Sequence, residues 1–115
     1  MIVLIDDERS FRLPPALDTL VFRTSSEALA WLDANPTAQI TQLWLDHDLG
    51  GDDTIMPVVN AIERRIIFGI PLTIDEVIIH TANPVGAQQL ENILSNHYPT
   101  IRVPAIDYLI VDVQR

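Results

Sequence analysis

Two short apolar runs in this chain stop abruptly at carboxylates, and little else about it is as restrictive. Ile2 to Ile5 runs into Asp6-Asp7-Glu8-Arg9, and Leu43 to Leu45 runs into Asp46-His47-Asp48-Leu49-Gly50-Gly51. An apolar run bounded by polar and glycine residues has the pattern of a buried strand. Carboxylates at the tip of a buried strand repel one another, and desolvation raises that cost. Two such strands side by side bring their tips into one acidic pocket, a setting that suits a divalent cation.

The segments between the runs favour helices. Thr24-Ser25-Ser26-Glu27 has the form of a capping box and opens a helix through about Ala34, with Ala28, Leu29, Trp31 and Leu32 on its apolar face and Asn35-Pro36 at its end. Asp52-Asp53-Thr54 is a start signal for a second helix reaching about Phe68, with Ile55, Val58, Val59, Ile62 and Ile66 at helical spacing and Gly69 as terminator. Asn83 as cap and Pro84 as first helical residue open a third, to about Asn96. Further strands are expected at Leu20 to Phe22, Val77 to Ile79 and Ile101 to Val103, and a last one from Tyr108 to Val113. Pro14-Pro15 blocks a helix between Ser10 and Thr19, so the first crossover is expected to be a loop or single turn.

Strands alternating with helices imply an α/β domain with a parallel sheet covered by helices on both faces. Residues 1–115 are expected to form one domain with a flavodoxin-like sheet in the order 2-1-3-4-5, its first and last helices reduced or missing. In such sheets ligands bind at the carboxyl ends of the strands where strand order reverses, here between the first and third strands. Those are the two strands that end in carboxylates.

Composition narrows the function. The chain has a formal net charge of -9 and no lysine, so tight non-specific nucleic-acid binding is not expected. A small phosphorylated ligand or an RNA terminus remains compatible if a cation screens it, and so does a protein partner. Without cysteine there are no disulfides, thiolate metal sites or cysteine nucleophiles, which fits the cytoplasm. No apolar run approaches the ~18–20 residues of a membrane span, and no basic segment of a signal peptide precedes Ile2.

Asp6-Asp7, Asp46 and Thr81, each after a strand, resemble the phosphoacceptor receiver domains of two-component signalling. In that family the first acidic pair and the third-strand aspartate hold Mg²⁺, the same aspartate accepts a phosphoryl group, and the fourth-strand Ser or Thr reports it. The family's Lys-Pro falls here at Val103-Pro104, and Arg102 is expected to face the other side of its strand, which argues against phospho-aspartate signalling. Asp6-Asp7-Glu8-Arg9, Asp46-His47-Asp48-Leu49-Gly50 and His80-Thr81-Ala82-Asn83-Pro84-Val85-Gly86, taken together, resemble the cyclic-phosphate-processing receiver-like family more closely. That resemblance implies action on cyclic phosphate ends of RNA or on related nucleotides.

Individual residues then take expected roles. Asp6, Asp7, Asp46 and Asp48 are the candidate ligands for Mg²⁺ or Mn²⁺, which favour oxygen donors; Asp48 is alternatively a turn residue before Gly50-Gly51. Asp46 is also a candidate nucleophile. His47, between two carboxylates, suits a general acid, or else is a structural histidine. His80 is the complementary base or a phosphate ligand, although strand alternation lets only one of His80 and Thr81 face the pocket. Arg9 can grip a phosphoryl oxygen or brace the acidic loop. Thr81, Asn83 and the N–H groups around Val85 and Gly86 offer a phosphate seat, with Asn83 read first as a helix cap. The leading function is a metal-assisted phosphoesterase acting on a cyclic phosphate. The alternatives are a degenerate receiver serving as an interaction module, and an aspartyl-phosphate phosphatase.

Overall fold

The computed structural model describes residues 1–11, 18–104 and 108–109. Its elements are β1 (Ile2–Ile5), β2 (Ser10–Phe11), β3 (Thr19–Phe22), α1 (Ser25–Ala34), β4 (Gln39–Leu45), α2 (Met56–Ile67), β5 (Thr73–Ile79), α3 (Pro84–Leu94), β6 (Thr100–Arg102) and β7 (Tyr108–Leu109). Five strands form a parallel sheet in the order β3-β1-β4-β5-β6, and β2 pairs with β7 in a separate two-stranded ribbon. With β2 set aside, this is the expected flavodoxin-like order. Most of the first crossover, and the tail beyond Leu109, lie outside the described residues.

Alternation along the central strands sorts the core into two clusters. Val3, Ile5, Leu43, Leu45, Val77 and Ile79 join Ala28 and Leu32 of α1, Val58, Val59 and Ile62 of α2, and Ala87, Leu90 and Leu94 of α3. Ile2, Leu4, Trp44 and Ile78 form the second cluster, with Phe11 and Val103 packed against it. All three described helices therefore serve one face of the sheet. The expected helical cover on both faces is not seen among the described residues, where Phe11 and Val103 contribute to the second face.

The β1–β4–β5 register pairs Ile5 with Leu45 and Leu45 with Ile79. The next residues, Asp6, Asp46 and His80, are thus level at the carboxyl edge of the sheet. Main-chain hydrogen bonds hold them there: Asp46 N–H donates to the Ile5 carbonyl at 3.0 Å and His80 N–H to the Leu45 carbonyl at 2.8 Å.

The helix starts divide. Thr24 caps α1 as expected, accepting from the Glu27 N–H at 3.2 Å and donating its hydroxyl to the Glu27 carboxylate at 3.0 Å. Asn83 caps α3, accepting from the Gly86 N–H at 2.9 Å. Asp52-Asp53-Thr54 does not run directly into α2, which begins at Met56 after Ile55, although the Thr54 hydroxyl accepts from the Met56 N–H at 3.3 Å. Those residues form a tight turn instead, with Asp48 bridged to Thr54 and Leu49 N–H bound to the Asp53 carbonyl at 2.9 Å. The Asp53 carboxylate reaches across to α1, where the Ser25 N–H and hydroxyl both donate to it.

Candidate active site

Asp6 is fully buried, and its Oδ1 accepts the N–H groups of Glu8 at 3.0 Å and Arg9 at 2.8 Å. A carboxylate that turns its own chain in this way fixes where the next three side chains go. Arg23, at the end of β3, holds the same loop from outside, donating to the carbonyls of Asp6 and Arg9 and to the Ser10 hydroxyl. Arg23 was not among the residues singled out from the sequence; its neighbours there give no hint of a partner more than a dozen residues away.

Asp6, Asp7 and Asp46 each bring one carboxylate oxygen to within 4.8 Å of the others. For an octahedral ion with bonds of about 2.1 Å, opposite ligands lie roughly 4.2 Å apart, so the spacing is close to what a small hard cation needs. The donor set, carboxylate oxygen throughout, fits Mg²⁺ or Mn²⁺. Among the described residues this is the cluster suited to a metal, and Asp48 does not belong to it. Asp48 turns to His47 Nδ1 at 2.9 Å and accepts from Asn83 Nδ2 at 3.1 Å. These contacts, the His47 side chain first, draw the Asp48 carboxyl below the ordinary 3.8.

A positive charge already sits on two of the three carboxylates. Arg9 Nη1 lies 3.4 Å from Asp6 Oδ2 and 3.2 Å from Asp46 Oδ2. In a chain without lysine, Arg9 supplies the cation beside the third-strand aspartate. Arg102 does not, since its guanidinium is bound to Glu91 and Gln88 of α3. Burial pushes the Asp46 carboxyl above its ordinary 3.8; the Thr81 hydroxyl and Arg9 oppose the shift, and the Asp6 and Asp7 charges add to it.

Asp7, Glu8, Arg9, Asp46, Asp48, Gly50, Thr81 and Ala82 line a hollow of about 260 Å³ over these groups, with room for a phosphate group and an ion. Gly50 has a left-handed backbone, φ +88°, and a side chain there would stand 3.1 Å from Asp7 Oδ2. A larger hollow, about 670 Å³, follows α3 along Pro84, Val85, Gln88, Gln89 and Asn92 and has no titratable group.

The expected histidines stay out of the polar hollow. His80 is 1% exposed, with its ring beside Trp44, while Thr81 faces the hollow. Alternation had allowed one of the two, and Thr81 is the one. Burial, and then the Arg9 charge, pulls the His80 imidazole below its ordinary 6.5, which keeps it neutral. His47 packs against the first turn of α3, where a Cβ on Gly86 would lie 2.5 Å from its Cγ. The Gly86 N–H is spent on the Asn83 cap, and exposed Val85 lies beside the larger hollow, so the expected phosphate seat at Gly86 is not open. His47, Asp48, Asn83 and Gly86 instead join the loop after β4 to the start of α3. Glu8, given no separate role from the sequence, is exposed on the rim.

No helix among the described residues is long and apolar enough to cross a membrane. No curated protein and no solved structure matches the chain. The family described as the cyclic-phosphate processing receiver domain matches residues 1–96, which takes in every strand and loop that builds the acidic hollow. The chain belongs to this family of receiver domains involved in cyclic-phosphate processing.

Proposed function

We propose that the chain is a metal-assisted phosphoesterase that opens a cyclic phosphate, at a 2′,3′-cyclic RNA end or in a cyclic nucleotide. The observation that carries this is the convergence of Asp6, Asp7 and Asp46, with Arg9 on two of them, beneath a phosphate-sized hollow. A bound Mg²⁺ or Mn²⁺ supplies Lewis acidity toward the phosphoryl oxygens. Asp6, Asp7 and Asp46 would hold it, and the Thr81 hydroxyl orients Asp46. Arg9 stabilises charge that develops on the phosphoryl group as water adds to phosphorus and one ring P–O bond breaks.

The proton carrier follows by elimination. Three carboxylates are committed to the ion, Asp48 is committed to His47 and Asn83, and both imidazoles lie outside the hollow. Glu8 is the remaining carboxylate on the wall; it takes the proton of the attacking water and returns it to the ring oxygen that leaves phosphorus. His80 is buried at the end of β5 with its ring beside Trp44, outside the hollow, and takes no part in the chemistry.

Phosphorus NMR with 2′,3′-cyclic nucleotides tests the proposal. The expected result is conversion to an acyclic monoester with Mg²⁺ or Mn²⁺, none with EDTA and none in Asp46→Asn. Glu8→Gln is expected to lower kcat by about 10²-fold or more. Folded protein that turns over no cyclic substrate with either ion would favour the degenerate receiver, a module that binds a protein partner.

A further inference from the structure

We infer that Arg9 has two stations: on the Asp6 and Asp46 carboxylates when no divalent ion is bound, and on the substrate phosphoryl group once an ion takes those carboxylates. The inference rests on the ion site proposed above and adds to it a cation exchange built into the chain.

One nitrogen, Nη1, faces Oδ2 of both Asp6 and Asp46. These oxygens belong to two of the three carboxylates that form the metal cluster. A guanidinium and a dication on the same two carboxylates repel each other at short range, where burial of Asp6 and Asp46 limits screening by water. One must leave when the other arrives. The loop itself is pinned: Asp6 Oδ1 holds the Glu8 and Arg9 amides, and Arg23 holds the carbonyls of Asp6 and Arg9. The movement is therefore confined to the Arg9 side chain, which already lines the hollow. It is the one cationic side chain among the lining residues, so the group displaced by the ion is also the group placed to meet the phosphate.

The exchange keeps the buried carboxylates partnered at every stage, and it links the ion to substrate binding. By reciprocity, whatever Arg9 costs the ion in affinity, the ion costs Arg9 in holding the carboxylates.

The test uses ¹⁵N-labelled protein titrated with Mg²⁺, following the Arg9 Nε–H signal, assigned by its loss in Arg9→Lys. As the amides of Asp6, Asp7 and Asp46 shift, the Arg9 signal is expected to move with them toward that of exposed Arg64, and to move again when inorganic phosphate is added. Amide shifts at the three aspartates with an unmoved Arg9 signal would overturn the exchange while leaving the ion site intact. No amide shift at saturating Mg²⁺ would remove the ion site and the exchange together. A second measurement is Mn²⁺ affinity by electron paramagnetic resonance: Arg9→Ala is expected to bind on the order of tenfold more tightly than the wild type. Equal or weaker binding in that variant would also overturn the exchange.

Discussion

His80 and Asp46 stand level on neighbouring strands and are perturbed in opposite senses. His80 is held neutral by burial, so the unfolded chain takes up a proton below pH 6.5 that the folded chain refuses. Stability is thus expected to fall as pH drops from 6.5 toward the depressed folded value. His80→Gln, measured by urea unfolding across this range, is expected to flatten that loss; an unchanged slope would assign it to another group. Gly86 makes a second prediction at the same scale. With Cγ of His47 2.5 Å from the added Cβ, Gly86→Ala is expected to cost about 1–3 kcal/mol. Most of that cost should vanish in the His47→Ala background, which a double-mutant cycle reads directly. Sequence alone found the acidic residues and Arg9, because carboxylates at the ends of apolar runs are visible in one dimension. It did not reveal that His47 and Asp48 bind each other and Asn83, since that depends on how a loop and a helix start meet.

Element boundaries follow local chemistry where the cap is local, and depart from it where the partner is distant. Thr24 and Asn83 act on residues three positions ahead, so α1 and α3 start where their sequences say. Asp53 resembled a cap for the helix just after it and instead serves α1, through Ser25. The sheet order was legible from the strand–helix alternation, whereas the placement of the three described helices on one face was not, because nothing local states which face a crossover covers. Thr24→Ala is expected to cost about 1 kcal/mol. The Ser25 hydroxyl bond, above all, draws the Asp53 carboxyl below 3.8, so its contribution is present above that pH and is lost as pH falls through the lowered folded value. Asp53→Asn is therefore expected to destabilise the protein at neutral pH and to shrink its acid-induced loss. Acid unfolding of the two proteins, overlaid, checks both parts, and parallel curves would dismiss the Asp53–Ser25 link as a stabilising contact.

On the scale of the whole molecule, the acidic hollow opposes the fold that makes it. The chain carries a net charge of -9, and three carboxylates are gathered where two are buried. The raised pKa of Asp46 means that its ionised form is disfavoured in the folded protein, so at neutral pH this one residue lowers stability despite its bonds to Arg9 and Thr81. A neutral isostere removes that cost: metal-free Asp46→Asn is expected to melt above the metal-free wild type. With Mg²⁺ the order should reverse. An ion at one hundred times its Kd adds about 2.7 kcal/mol to the wild type, a rise of roughly 10–20 °C for a domain near this size. Asp46→Asn, short of one of three ligands, should gain little. Melting curves of both proteins with EDTA and with Mg²⁺ decide the matter. Crossed rankings would mean that stability is surrendered at the carboxyl edge of the sheet in return for a cation; a mutant less stable under both conditions would make Asp46 a structural residue whose pairing with Arg9 is its whole role.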